Sequence, residues 1–277
     1  CALPIYPDLM DGPEPEGRFN GSRTDLKKLD TLPQSLRLKE DMDRIKYLYD
    51  GEVRYCDLWI QRLFEGIFSL GLDLQKNMLV VLTADHGEGL WDHGERSHGR
   101  APHVEQIHVP LVIRLPNPTE PAHCRISQPV SLIDLAPTIL SICGIPQPSQ
   151  FQGHSLCPLM EGKKRDGALD LIYSEIKYKT TNYESLLWNG KKTIHDRTPD
   201  LQPRTAYRFY DLIKDPFEQA DLNLDLSFAP WSQEQIKALH MWSEAIKKEN
   251  DFLNKIDVNN LDEETLENLR ALGYIGS

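Results

Sequence analysis

The sequence VVLTADHGEG, residues 80–89, constrains the fold more than any other stretch of this chain. It continues an apolar run, Met78–Leu82, of the kind that forms a parallel strand covered on both faces. The run stops at Asp85-His86-Gly87-Glu88, where the glycine lets the backbone turn. Because ligands of open α/β sheets bind at the carboxyl ends of strands, an adjacent Asp and His at this position can reach one cation. A divalent metal site is therefore the first hypothesis, with an ordinary turn capped by Asp85 as the alternative.

Hydrophobic periodicity around this stretch predicts an α/β arrangement. Apolar residues recur at three- and four-residue steps from Lys39 to Leu70, which predicts one long helix before the strand. A second strand is predicted at Leu111–Leu115, between two prolines. Ser131-Leu-Ile-Asp134 resembles a capping box and predicts a helix that runs to Cys143. Residues 1–35 are rich in proline, glycine and charge, and we predict an irregular segment there.

The texture of the sequence changes after a Pro- and Gly-rich connection at residues 146–170. Four strand-like segments follow, at Leu171–Glu175, Ser185–Trp188, Lys192–His195 and Ala206–Asp211. Asn189-Gly190 is typical of a hairpin turn. Two amphipathic helices are predicted at about 233–252 and 262–271. We therefore predict two domains, over residues 1–168 and 169–277.

Charge and composition exclude some partners. The formal net charge of −11 argues against nucleic acid and anionic membranes as general partners. No apolar run approaches the length of a membrane span. The five cysteines form neither a CxxC pair nor a zinc spacing, and Cys56 and Cys143 fit helical apolar patterns typical of buried free thiols. The chain starts at Cys1 and not at Met, so we expect a fragment or a processed product.

Histidines recur every five residues between positions 93 and 108. This spacing suits neither a helix nor a strand, so a loop must fold any of them that act together. His98 is the candidate for contacting a bound oxyanion or protonating a leaving oxygen. His103 and His108 are expected to be surface residues or to be satisfied by loop carbonyls. Glu88 is a candidate for orienting His86 or His98, with a helix-start carboxylate as the alternative.

Several motifs in register resemble one known family. TADHGEGLWDHGERSHGR, EQIHVPLVIRLP and QPVSLIDLAPTILSICGIP closely resemble the second half of the sulfatase catalytic domain, in the alkaline phosphatase superfamily. The resemblance continues in FQGHSLCPLM, in RFYDLIKDPFEQADLNL and in the terminal LRALGYI. It implies an α/β fold: an incomplete alkaline-phosphatase-like mixed or parallel sheet with flanking helices over 1–168. A small C-terminal α+β domain with an antiparallel sheet is implied over 169–277.

The resemblance also implies roles for individual residues. Asp85 and His86 match the Asp and the following Asn or His that bind the family's divalent cation, usually Ca²⁺, although the imidazole also admits Mn²⁺ or Zn²⁺. His98 matches the position of the Lys or His that contacts the sulfate ester, and His93 and Arg100 are further candidates for substrate binding. The implied substrate is a sulfate-ester small molecule or glycan. Family habit favours a periplasmic or secreted location.

The nucleophile of the family is missing from this sequence. No Cys or Ser begins the Cys/Ser-x-Pro-x-Arg motif that is oxidised to formylglycine, and the earlier Asp-Asp pair of metal ligands is also absent. We therefore expect a sulfatase fragment with half a metal site, inactive without a complementary N-terminal chain. One alternative is a phosphoester or phosphonate hydrolase, or a phosphoethanolamine transferase, of the same superfamily. Another is a non-catalytic pseudoenzyme or one chain of a split hydrolase.

Overall fold

The computed structural model describes residues 10, 13–72, 76, 78–116, 124–165, 171–178, 180–198, 206–224 and 231–253. Its contacts divide the chain into two compact units. The first comprises Cys1–Ala168 together with Phe217–Gln219, and the second comprises Leu169–Pro216 and Ala220–Ser277. The segment Phe217–Gln219 therefore belongs to the first unit, although the residues on both sides of it belong to the second.

Helix α1, Arg23–Thr31, begins the described core of the first unit. The Ser22 side chain caps it by accepting a hydrogen bond from the Asp25 backbone N–H. Leu26 and Leu29 of this helix pack into a buried cluster with Phe19, Ile45 and Leu48. The prediction of an irregular segment over residues 1–35 is thus wrong for this helix. The composition of this segment suggested irregular structure, although Ser-x-x-Asp is a local signal for a helix start. The residues against which α1 packs lie further along the chain.

Helix α2, Lys39–Ser69, confirms the long helix predicted from periodicity. Its amino-terminal half buries Ile45 and Leu48 in the cluster with α1. Its carboxyl-terminal half exposes large apolar side chains, among them Val53, Trp59, Leu63 and Phe68. The apolar stripe of α2 therefore extends well beyond the part of it that is buried.

The other elements of the first unit are β1 (Val80–Thr83), β2 (Gly89–Leu90), β3 (Arg96–Ser97), α3 (Val104–Ile107), β4 (Leu111–Arg114), α4 (Leu135–Ile142) and α5 (Cys157–Met160). Strand β1 pairs with β4 in an antiparallel register, and β2 pairs with β3 as a short hairpin. Asp85 and His86 follow directly after the carboxyl end of β1. The predicted strands thus form, and the predicted ligands lie where β1 ends.

The pairing of β1 differs from the expectation of a parallel strand covered on both faces. Among the described residues its paired strand is β4, which runs antiparallel. Val80, Val81 and Leu82 are half-buried. A continuous apolar run indicates that a strand seeks burial, but it contains no information on the direction or number of its neighbours.

Asp134 is the buried polar centre of the region around α4. The capping box predicted from Ser131 and Asp134 is present, with the Ser131 N–H donating to the Asp134 carboxylate over 3.1 Å. The same carboxylate accepts from the His154 backbone N–H at 2.9 Å and from Arg165 Nη1 at 2.8 Å. Because the side chains of Asp134 and Arg165 are both buried, each depends on the other for compensation of its charge.

The second unit contains a four-stranded antiparallel sheet in the order β5-β6-β7-β8, formed by β5 (Leu171–Tyr178), β6 (Thr181–Trp188), β7 (Lys191–Asp196) and β8 (Tyr207–Asp211). Helix α6, Ser232–Leu253, packs against β6 and β7. Asn189 and Gly190 both have positive φ, as the predicted hairpin turn requires. The predicted helix at 262–271 and the LRALGYI motif lie outside the described residues.

Two further expectations have clear outcomes. Cys56 and Cys143 are exposed, so the prediction that both are buried thiols is wrong. Cys56 lies on α2 and Cys143 directly follows α4, and the described core covers neither side chain. Within the described ranges, no helix combines the length and apolarity that crossing a membrane requires.

The Asp134–Arg165 pair provides a test of the fold. Replacing Asp134 with Ala removes a buried carboxylate that accepts from a guanidinium and two backbone N–H groups, so we expect a loss of about 3 kcal/mol in the free energy of unfolding. The matched control is Asp43→Ala, which removes the exposed ion pair with Lys39 and is expected to cost far less. Urea denaturation measures both; equal losses would contradict the role assigned to Asp134.

Candidate metal and oxyanion site

A close backbone contact fixes the loop after β1. The Gly87 N–H donates to the Gln106 carbonyl oxygen over 2.8 Å. A Cβ atom added at Gly87 would lie only 2.1 Å from the Glu105 carbonyl oxygen, so no side chain fits at this position. The glycine of the Asp-His-Gly sequence is therefore required for the loop to approach α3.

Asp85 and His86 present two ligand atoms that can share one cation. His86 Nδ1 lies 2.8 Å from the Gly87 carbonyl oxygen, which can only accept, so Nδ1 is the protonated nitrogen and Nε2 has the lone pair in the neutral ring. His86 Nε2 lies 3.7 Å from Asp85 Oδ2. That separation is close to the distance between neighbouring ligand atoms on one ion with ligand distances of about 2.0–2.6 Å.

The Asp85 carboxylate is also oriented by the backbone. Its Oδ1 accepts from the His86 N–H at 2.9 Å, which leaves Oδ2 as the oxygen nearer to the imidazole. The side chain of Asp85 is 84% exposed and that of His86 is 43% exposed, so an ion has an open approach. The chemistry and spacing of these donors fit a divalent cation with open coordination positions.

His98 lies beside this pair. Its ring centre is 4.0 Å from that of His86, with 30° between the planes. His98 Nδ1 lies 2.9 Å from Glu88 Oε2, a carboxylate oxygen that accepts the Nδ1 proton and leaves Nε2 as the second nitrogen of the ring. Glu88 thus orients His98, one of the alternatives considered for it.

The backbone before His98 is unusual. Ser97 has a φ of 84°, in the left-handed region that non-glycine residues seldom adopt. Such conformations persist where the surrounding structure imposes them, and they concentrate at functional sites. Here the β2–β3 hairpin imposes it, and His98 follows immediately.

The two predicted substrate residues differ in their surroundings. Arg100 is exposed, and its backbone N–H donates to Gln106 Oε1 at 3.1 Å. His93 is largely buried, and protein acceptors engage both of its ring nitrogens. Neither ring nitrogen of His93 is therefore available to a substrate in this arrangement.

His93 and His103 form a second, buried cluster that the sequence reading missed. His93 Nδ1 lies 3.0 Å from both oxygens of Glu105, and its Nε2 lies 2.9 Å from the Glu218 carbonyl oxygen. Since both nitrogens face acceptors only, His93 is doubly protonated. Its pKa is raised, mainly by the hydrogen bond to Glu105 and further by the Glu218 carbonyl, against the lowering effect of burial.

Glu218 completes this cluster from far along the chain. Its Oε2 lies 2.7 Å from His103 Nδ1 and accepts the Val104 N–H at 3.3 Å. His103 is buried, contrary to the expectation of a surface residue or a carbonyl-satisfied one, whereas His108 is exposed as expected. No local signal identifies this pairing, because His103 and Glu218 are 115 residues apart.

The geometry of the second cluster argues against a metal there. The His93 and His103 rings are stacked, with centres 3.8 Å apart and 6° between their planes. A metal lies in the plane of each imidazole that binds it, and two stacked parallel planes do not meet at one ion. Together with the protonation of His93, this makes the cluster a hydrogen-bonded clasp around Glu218.

Two family models match this chain over overlapping ranges. A family model described as Sulfatase matches residues 13–145. A second, described as N-sulphoglucosamine sulphohydrolase, C-terminal, matches residues 96–245. The two matches overlap over residues 96–145, from β3 to α4, and together they extend into both units.

Individual relatives are longer than this chain. An endo-4-O-sulfatase of Bacteroides thetaiotaomicron is 26% identical over 207 residues, which are 66% of this chain and 38% of the relative. Human arylsulfatase K is 31% identical over 121 residues, 44% of this chain and 22% of the relative. The chain thus spans well under half the length of these curated relatives.

Solved structures share the fold. A protein in complex with its substrate D-glucosamine-2-N,6-O-disulfate superposes with a TM-score of 0.59 at 24% identity, covering 86% of this chain and 47% of that one. A phosphonate monoester hydrolase of Agrobacterium radiobacter gives 0.63 at 21% identity, covering 88% and 52%. The predicted fold class, an incomplete α/β domain of the alkaline-phosphatase type with a small antiparallel-sheet domain, is confirmed.

The raised pKa of His93 predicts a pH dependence of stability. The ion pair of His93 with Glu105 is complete below the unfolded pKa of about 6.5, and its contribution is lost as pH rises through the higher folded pKa. Glu105→Gln should therefore flatten the decline of the unfolding free energy above about pH 6.5, measured by urea denaturation at several pH values. The control is Glu95→Gln, at an exposed glutamate of the β2–β3 hairpin. Parallel pH profiles for wild type and Glu105→Gln would contradict the clasp.

Proposed function

The chain belongs to the sulfatase family of the alkaline phosphatase superfamily, and we propose that it supplies part of the cation-binding and leaving-group side of a sulfuric ester hydrolase site. The observation that carries the proposal is the group at the end of β1. There Asp85 Oδ2 and His86 Nε2 lie 3.7 Å apart, and the centre of the His98 ring lies 4.0 Å from that of His86. One oxygen donor, one imidazole donor and one titratable ring are thus collected on an exposed loop.

Asp85 and His86 would hold the divalent cation of the family, and we favour Ca²⁺. A divalent cation there supplies charge that stabilises the ester oxygens and favours the deprotonated nucleophile. Two protein ligands leave most of a calcium coordination sphere open, since that ion takes six to eight oxygens. The remaining ligands must therefore come from other residues, from water and from the ester.

His98 is placed to act on the leaving oxygen. Its Nδ1 proton is held by Glu88, so the ring is oriented and only Nε2 remains to interact with an ester. In its doubly protonated form the ring can donate from Nε2 to the departing oxygen or stabilise negative charge there. Arg100, exposed and three residues beyond Ser97, is proposed to contact the anionic substrate.

Relatives indicate the class of substrate. Their printed functions include an endo-4-O-sulfatase, and one solved relative has D-glucosamine-2-N,6-O-disulfate as its substrate. We therefore propose a sulfated sugar within a glycan as the substrate. A Caenorhabditis elegans relative, 33% identical over 136 residues, has a name that describes an extracellular sulfatase, which supports a periplasmic or secreted location.

The nucleophile must come from a segment outside this sequence. No Cys/Ser-x-Pro-x-Arg motif occurs here, so we propose that hydrolysis requires a formylglycine-bearing N-terminal segment. The exposed apolar half of α2, with Trp59, Leu63 and Phe68, supports such a complement, because this surface gains free energy when it is covered.

A phosphonate or phosphoester hydrolase is the second candidate. It is favoured by the fold shared with the phosphonate monoester hydrolase and by the His86 imidazole, which suits Mn²⁺ or Zn²⁺ better than an oxygen-only site does. The two candidates can be separated by experiment, by comparing the cleavage of a sulfate ester with that of a phosphonate or phosphate ester.

Cation binding tests the role of the first two residues. We expect Asp85→Asn to weaken Ca²⁺ binding by the chain at least about tenfold, because it removes the only charged oxygen ligand of the pair. Asp92→Asn, at an exposed aspartate seven residues further along, should leave binding unchanged. Isothermal titration calorimetry measures both, and wild-type affinity in Asp85→Asn would contradict the assignment.

Catalysis tests His98. In a protein completed with the formylglycine-bearing segment, His98→Ala should lower kcat for sulfate release from glucosamine-2-N,6-O-disulfate by about 10²- to 10⁴-fold, because assistance to the leaving oxygen is lost. His108→Ala, at an exposed histidine of the same region, is the control. An unchanged rate in His98→Ala would remove His98 from the mechanism. Cleavage of a phosphonate ester in preference to the sulfate would favour the second candidate.

A further inference from the structure

The second unit contains a cluster of metal-ligand side chains that plays no part in the proposed hydrolase site. Glu184 lies on β6, His195 on β7 and His240 on α6, and ligand atoms of the three lie within 4.8 Å of one another. We propose that these three residues form a binding site for Zn²⁺ or a similar first-row transition-metal ion in the small antiparallel-sheet unit.

The orientation of the rings supports convergence on one ion. The ring centres of His195 and His240 are 5.9 Å apart, with 55° between the planes. Two imidazoles on one Zn²⁺, each with its nitrogen about 2.1 Å from the ion, have ring centres roughly 5–6 Å apart. The stacked pair His93 and His103 does not meet this condition.

The carboxylate is already directed at one of the imidazoles. Glu184 Oε1 lies 2.8 Å from His195 Nδ1, and the Glu184 side chain is buried. In the absence of metal the two atoms share the Nδ1 proton. A cation bound between them replaces that proton, which moves to solvent, and the two ligand atoms separate by a few tenths of an ångström. Replacement of the proton by a cation thus leaves the other hydrogen bonds of the buried carboxylate in place.

Other residues orient the three ligands from outside. Arg197 Nη1 and the Tyr173 hydroxyl contact the other oxygen of Glu184, at 3.4 and 3.2 Å, which leaves Oε1 for the cation. Tyr207 stacks on His195 with ring centres 4.3 Å apart, and its hydroxyl lies 2.8 Å from His240 Nε2. Such outer hydrogen bonds and packing are a regular feature of zinc sites.

The donor set determines the class of ion. Two imidazoles and one carboxylate are ligands for Zn²⁺ and its first-row neighbours, whereas Ca²⁺ and Mg²⁺ take oxygen ligands. His240 is exposed, so an ion can enter from solvent and the fourth position is open to water.

The test is a Zn²⁺ titration of the full chain against a chromophoric chelator. We expect His240→Ala to lose one bound equivalent, or to bind it at least about tenfold more weakly. His154→Ala, at an exposed histidine of the first unit, should retain it. His86→Ala should retain it too, which separates this site from the loop after β1. Because His240 is exposed, its replacement by Ala should leave the circular dichroism spectrum unchanged.

A second measurement gives the geometry. Co²⁺ bound to the full chain should show the intense visible d–d bands of a four-coordinate site, and these bands should disappear in His240→Ala and in His195→Gln. Equal Zn²⁺ stoichiometry and affinity in wild type and His240→Ala would overturn the proposal. Loss of the equivalent in His86→Ala alone would also overturn it, by assigning the ion to the first unit.

Discussion

The one-turn helix α3 holds the candidate site together. Its backbone carbonyl groups lie against Gly87, and the Gln106 oxygen accepts the Gly87 N–H. The Gln106 side chain accepts the N–H of Arg100, and Glu105 accepts from His93. Four residues of helix thus fix the loop after β1 and the far side of the β2–β3 hairpin. Without α3, the loop with Asp85 and His86 would be held to His98 only through Glu88 and the contact between the two histidine rings.

Backbone carbonyls and carboxylates hold the histidine rings of this region. Glu88 and the Gly87 carbonyl each occupy one nitrogen of a histidine, so that the other nitrogen faces outward. Acceptors of the same kinds hold His93, but they engage both of its ring nitrogens, so neither nitrogen faces solvent or a ligand. The number of acceptors around each histidine therefore decides whether one of its ring nitrogens is available to a ligand.

Local patterns in the sequence predicted most of the fold. The periodicity of α2, the capping box before α4 and the Asn189-Gly190 hairpin each depend on residues within a few positions of one another. Helix α1 was missed because its stability comes from packing against Ile45 and Leu48, which no local rule describes. The direction of β1 was misjudged for the same reason, since an apolar run does not specify its neighbours.

The loop after β1 was also predictable, because Asp85, His86, Glu88 and His98 lie within fourteen residues. The clasp around Glu218 was not, since its two sides are separated by more than a hundred residues. The motif RFYDLIKDPFEQADLNL contributed to the family resemblance, but nothing in it indicates that its glutamate binds two histidines more than a hundred residues earlier. Only the three-dimensional contacts reveal that role.

The position of Glu218 in the chain has a consequence for synthesis on the ribosome. His103 is made 115 residues before the carboxylate that satisfies it. At ~5–20 residues per second, the first unit waits on the order of ten seconds for its last component. In the later part of that interval the His93–His103 pair still lacks its Glu218 acceptors, although the unit has been synthesised up to Ala168. Co-translational folding of this unit therefore ends late, after all four strands of the second unit's sheet have been translated.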